Sequence, residues 1–341
     1  MTTVSTTIDP STRAAPTHHR GGGLAAVATL ARRRLALSAR TPRELLLPAL
    51  TPLLFALVIA PALADTFGAA PGGIDYMTFV AVSTIGLLVP ISAMTSGLGV
   101  VVDRLGGARR DLLAAPVPRS LIVIGNLAVA VALSALQVLV VVGAAALRGA
   151  EYHLSVTGVG WFVAAAFGFA VAMYGLAEVL ANRLPTQEEY IGALPPVAIV
   201  PWFLAGSLFP ISALPVGLTV VAKVLPNTHV LALLRYGLVD RSGQGLHDIW
   251  GMSNTTAMAA LSLTVVGLFA VVLTAASLAP AQEKSVRPGI NQPFENPDVS
   301  EFLKKFEVES REIYAQRQEI IAACKLKPGM VVADVGAGTG L

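Results

Sequence analysis

MTFVAVSTIGLLVPISAMTSGLGVV, residues 77–101, runs without one charged side chain. A helix rising 1.5 Å per residue carries a stretch of that length across the roughly 30 Å hydrocarbon core of a bilayer. A soluble sandwich or barrel would instead show short alternating runs. Comparable blocks recur at about 44–64, 121–147, 156–182, 191–211 and 256–278. The pattern predicts an all-α polytopic membrane protein with about six transmembrane helices. Composition agrees: 54% of the 341 residues are hydrophobic and 13% are charged, about half the charged share of an ordinary soluble domain. Aromatic residues are few while Ala, Val, Leu and Gly abound, which suits helices packing closely through small side chains.

The net charge of +3 is too small to indicate a nucleic-acid partner, so the basic residues are read by position. Arg13, Arg20, Arg32, Arg33, Arg34, Arg40 and Arg43 precede the first block. The loop 65–76 has no Lys or Arg, and the next loop holds Arg104, Arg109, Arg110 and Arg119. By the positive-inside rule the N-terminus faces the cytoplasm, and with six spans so does the C-terminus. A cell-membrane, multi-pass location is expected. Residues 1–23 are polar and lack the apolar stretch of a secretory signal, so they read as a disordered N-terminus without a cleaved leader. His18 and His19 stand there without further ligands, and no metal is expected. Cys324 is the sole cysteine, which excludes an intramolecular disulfide.

Leu24 to Arg40 alternates apolar positions with an arginine cluster and reads as an N-terminal interfacial helix against lipid phosphates; a disordered basic leader is the alternative. Between the fifth and sixth blocks, residues 212–255 are apolar yet interrupted by Lys223, Pro226, Asn227, His229 and Arg235. Crossing hydrocarbon with those groups is costly. A re-entrant pair of short helices on the outer side fits, and a seventh span is the rival reading. The permease region so defined covers 24–279. A proline-punctuated linker follows at 280–295, then a short non-membrane C-terminal tail at 296–341, with a charged amphipathic helix expected over 301–323.

Two stretches carry a family pattern. SAMTSGLGVVVDRLGGARRDLLAAPVPRSLIVIGN, residues 92–126, leads from a glycine-containing span end through Asp103 and Arg104 to Arg109, Arg110 and Pro116. VPWFLAGSLFPISALPVGLTVVAKVLPNTHVLALLRYGLVD, residues 200–240, spaces Pro210, Pro215, Pro226 and Arg235 around repeated turns. Together they resemble the permease subunits of ABC-2 type exporters, including the daunorubicin-resistance-like group. The resemblance implies that the first stretch is a coupling segment inserting into a separate ABC ATPase subunit. It implies that the second is the outer re-entrant region, and that two permease copies pair, a homodimer being expected. Leu105 departs from the acidic residue often found after the arginine in that family. Read by itself, the first stretch is equally an ordinary basic cytoplasmic loop. The sequence contains no G-x-x-x-x-G-K-[ST] phosphate loop, so no cofactor is expected on this chain and ATP is expected to be used by the partner subunit.

Asn126, Gln137 and Glu178 are polar groups within or near the ends of predicted spans and are candidates for a substrate path; helix pairing or an interfacial position is the alternative. The tail ends in LKPGMVVADVGAGTGL, which resembles the first strand and glycine turn of a class I S-adenosylmethionine methyltransferase, with Asp334, Gly336, Gly338 and Gly340 in the turn. One strand and one turn cannot bury a core or build a pocket, so a vestigial turn without activity is expected. Whether it is a natural fusion, a truncation or a sequence artefact stays open. The leading expectation is therefore an exporter permease, without an ATPase site, for a drug-like, lipid or glycan cargo. A membrane-anchored methyltransferase and an ATP-independent carrier are the alternatives.

Overall fold

A computed structural model describes residues 23–40, 50, 53–62, 69–70, 73–109, 112, 118–278 and 315–325. The chain divides into two compact units, Met1–Ala281 and Gln282–Leu341. In the first unit α1 spans Gly23–Arg40. A two-residue β-ladder, β1 (Ala69–Ala70) with β2 (Ile74–Asp75), precedes α2 (Tyr76–Ser83) and α3 (Ile85–Leu105). Then come α4 (Arg119–Leu147), α5 (Val156–Arg183), α6 (Gln187–Gly192), α7 (Val200–Leu204), α8 (Val216–Val224), α9 (Pro226–Leu238), α10 (Gln244–Trp250) and α11 (Thr255–Leu278). In the second unit α12 covers Arg317–Ala323 and buries none of its residues.

Among the described residues four helical stretches are long and apolar enough to cross a membrane: Tyr76–Leu105, Ser120–Leu147, Val156–Arg183 and Thr255–Leu278. The pair α8 and α9, bent by 77° at Leu225, makes a fifth if counted as one broken span. The protein is thus an all-α polytopic membrane protein. The expected first block is described at residues 50 and 53–62 and otherwise lies outside the described residues; within it residues 55–59 form a π-helical turn. The expected block 191–211 is helical but interrupted. Its helix begins earlier, at the Thr186 cap, passes through a π-helical turn at Pro195–Ile199 and ends at Ala205. Pro195, Pro196 and Pro201 each lack the N–H that an unbroken α-helix needs, which accounts for the irregular hydrogen bonding.

Local chemistry sets the other boundaries. The Asp75 carboxylate accepts from the Thr78 backbone N–H (2.8 Å) and hydroxyl (2.9 Å), capping α2. Ser155 caps α5 by accepting from Gly158 N–H at 3.0 Å. At the joint between α2 and α3 two hydroxyls fold back onto the helix, Ser83 onto the Phe79 carbonyl (2.5 Å) and Thr84 onto Ala81 (2.7 Å), a bonding pattern that bends helices. Leu225, the residue before Pro226, is extended (ψ 130°), as the proline ring demands, and there the chain turns from α8 into α9.

Packing separates inner from outer helices. Of the most apolar window in Tyr76–Leu105, 72% is buried inside the protein, against 28% for both Ser120–Leu147 and Thr255–Leu278. The α2–α3 span is therefore central, and α4 and α11 present Leu136, Leu139, Leu268 and Val271 outward. Helix α5 packs on α3, α9 and α11. Its contact with α9 needs bare backbone, since a Cβ on Gly158 would lie 2.3 Å from the Gly237 carbonyl. Helix α9 is buried along its length, whereas α8 exposes Val216, Val220 and Val224.

Candidate functional site: a charged helix end and a clasped hairpin

Two polar clusters stand at the two ends of α3. At its C-terminal end Arg33 of α1 reaches Asp103 with both guanidinium nitrogens, each at 3.4 Å. Arg34 turns the other way. It is 7% exposed, donates to the Ser96 carbonyl at 2.8 Å and fills a notch left by Gly99, where a Cβ would fall 1.7 Å from its guanidinium. Only Arg32 of the three consecutive arginines is exposed, because neighbours on a helix differ by about 100° in direction. The expected row of lipid-facing arginines is thus one arginine toward the surroundings and two into the protein.

Arg104 donates to the carbonyls of Ala181 (2.7 Å), Leu184 and Pro185 (3.1 Å). It supplies donors to the last turn of α5, whose carbonyls have no helical partner. The end of α3 is in this way tied to α1 by an ion pair and to α5 by a cap. Beside it a cavity of about 30 Å³ is lined by Asp103, Arg109, Leu112, Asn126 and Glu178. Glu178 is buried and accepts from the Tyr174 hydroxyl at 2.8 Å and, more weakly, from Asn182 at 3.5 Å. Four residues singled out in the sequence, Asp103, Arg109, Asn126 and Glu178, therefore share one cavity. Gln137 does not join them; it lies about 16 Å further along α4 and bonds Ser92 of α3. Arg110 and Pro116 lie outside the described residues, as do Asp334, Gly336, Gly338 and Gly340.

At the N-terminal end of α3 the bent hairpin is clasped. Pro210 flanks a 3-10 turn at Ile211–Ala213, Pro215 precedes α8 and Pro226 opens α9. Arg235 of α9 is buried, with its Cζ 3.6 Å from the centroid of the Phe79 ring. Its Nε donates to Ser83 Oγ at 3.1 Å, and its Nη2 donates to that same oxygen and to the carbonyls of Gly206 (2.7 Å) and Ser207 (3.2 Å). Trp202 Nε1 donates to the Ser83 carbonyl at 2.7 Å, and the Tyr76 hydroxyl to the Leu208 carbonyl at 2.8 Å. His229 bridges the Lys223 carbonyl (2.9 Å) and Ser262 (3.2 Å), and Trp250 donates to the same serine at 2.9 Å. On α10, burial pushes the Asp248 carboxyl above its usual range, opposed by Lys223 and a hydrogen bond from Ser212.

Sequence reasoning missed Arg34, Ser83, Tyr174 and Trp202. Arg34 was visible as one of three arginines but not its direction. Ser83 bears no mark in sequence, since its partner Arg235 is 152 residues away.

Long apolar helices around a central span, with charged ties at one end and the bent α8–α9 pair clasped at the other, define a polytopic membrane protein. The ABC-2 type transporter family model matches residues 25–239, well over half of the chain. The chain belongs to the ABC-2 type transporter family. No curated protein matches it.

Proposed function

We propose that this chain is the membrane-spanning permease subunit of an ABC exporter, of the drug-resistance type, working as a pair of copies in the cell membrane. Both termini are cytoplasmic, and a separate ATPase docks on the segment that follows Asp103 and Arg104. The cargo is a drug-like amphiphile, a lipid or a glycan, and Glu178 and Asn126 line its cytoplasmic path. One observation carries the coupling assignment: the end of α3 is bound by Arg33–Asp103 to α1 and by Arg104 to α5. A push on the adjoining segment then moves three helices as one body, which is what an ATPase outside the membrane needs.

Co-purification with an ABC ATPase subunit and ATP-driven transport in proteoliposomes test this reading. Replacing Arg109 and Arg110 with Glu is expected to lower transport far more than membrane insertion. Equal loss of both overturns the docking role, and transport that persists without any ATPase marks an ATP-independent carrier. The glycine turn at 334–340 is assigned no part in transport. Titration with S-adenosylmethionine is expected to show no saturable binding.

A further inference from the structure

Arg235 is a charge buried among neutral partners. Among the described residues it meets two carbonyls, one hydroxyl and one ring, while Asp240 and Asp248 act on it only through their field. A buried guanidinium without a carboxylate in contact is costly and depends on every dipole that surrounds it. Those dipoles come from separate elements: Ser83 sits at the joint of α2 and α3, Gly206 and Ser207 in the turn after α7, and Arg235 on α9.

We infer that Arg235 is the positioning residue through which movement of α3 reaches the α8–α9 hairpin, an inference that rests on the permease reading above. Helix α3 is continuous from Ile85 to Leu105, about 30 Å, with the Asp103 and Arg104 ties at one end and the Ser83 joint at the other. Ser83 serves the clasp twice. Its hydroxyl proton goes to the Phe79 carbonyl, so its oxygen lone pairs are free to accept from the guanidinium, while its own carbonyl holds Trp202. A shift of α3 moves this oxygen, and the guanidinium then loses an acceptor or carries α9 along. A replacement is at hand. A cavity of about 30 Å³ lies against Arg235, Thr228 and Ala205, and the buried Thr228 Oγ1 has no hydrogen-bond partner among the described residues. The cavity has room for a water, so the clasp has a docked state and a hydrated one.

The test uses the full chain with Cys324→Ser and Ala205→Cys; Ala205 is 2% exposed and lines that cavity. Thiol labelling is measured in proteoliposomes, with and without the ATPase and ATP. In the parent, labelling is expected to be slow at rest and to rise about tenfold with ATP. Arg235→Lys, which keeps the charge but not the planar fork, and Ser83→Ala, which removes the acceptor together with the hydroxyl's own bond to the Phe79 carbonyl, are each expected to raise resting labelling about tenfold. With both variants transport is expected to fall about tenfold while ATP hydrolysis stays within about twofold of the parent. Unchanged resting labelling in both variants overturns the inference. So does a parallel loss of hydrolysis and transport, which marks a merely structural residue. Should the parent show no ATP-driven transport, the permease reading fails, and the resting labelling, measured without ATP, still decides the clasp.

Discussion

Gly99 shows how much one missing methyl group controls. Arg34 lies in the notch beside it, with guanidinium nitrogens 1.7 and 2.1 Å from where a Cβ would stand. Gly99→Ala must expel that side chain, and overpacking of this kind costs about 1–3 kcal/mol. Thermal unfolding in detergent is expected to show a clear fall in Tm that Arg34→Ala, added to the same chain, largely reverses; no reversal would place the strain elsewhere. Glu178 makes a second residue-level case. Glu178→Gln keeps an acceptor for the Tyr174 hydroxyl, whereas Glu178→Leu removes it and leaves only Asn126 beside that buried hydroxyl, at about 1–3 kcal/mol. The Leu variant is therefore expected to melt well below the Gln variant, and equal melting would remove the hydrogen bond from the account. That Glu178 is buried beside Asn126 was not legible in the sequence, where it stood as a lone carboxylate near a span end. The pairing requires α4 and α5 to be laid side by side.

At the scale of elements, length and apolarity were enough to find α4, α5 and α11 nearly to the residue, because a bilayer imposes one dominant condition on each. The same signal gave no sign of the interruption between α6 and α7, where three prolines disturb the hydrogen bonding without lowering hydropathy. The bend of α8 on α9 was legible for the converse reason: Pro226, His229 and Arg235 are too costly for a plain span. The α8–α10 region also carries a pH dependence. Asp248, raised by burial, faces Lys223, Asp240 and His247. A carboxyl whose folded-state pKa exceeds its unfolded value contributes stability that is fully present below the unfolded pKa and is lost as pH rises through the folded one. Asp248→Asn is accordingly expected to raise Tm at neutral pH and to converge on the parent in acid. A difference that does not change with pH would exclude Asp248 as its source.

For the whole molecule the decisive property is sidedness. In the orientation proposed above, which rests on arginines before the first block and between α3 and α4 against none in loop 65–76, the Asp103 end of the bundle is cytoplasmic. Cys324, the single thiol of the chain, is exposed and reports on the C-terminal side. A membrane-impermeant maleimide is expected to leave it unlabelled in intact cells and to modify it after permeabilisation; labelling from outside would invert the topology. Arg235 adds a consequence for biogenesis. An arginine within the membrane is unfavourable for an isolated segment leaving the translocon, by up to about 2.5–3.5 kcal/mol at the centre of a span. The groups that shelter this one belong to residues 79–83 and 206–207, all synthesised earlier. The ribosome thus delivers the guests after the host, and residues 226–238 can settle into the membrane only where the α2–α3 span already waits to receive them.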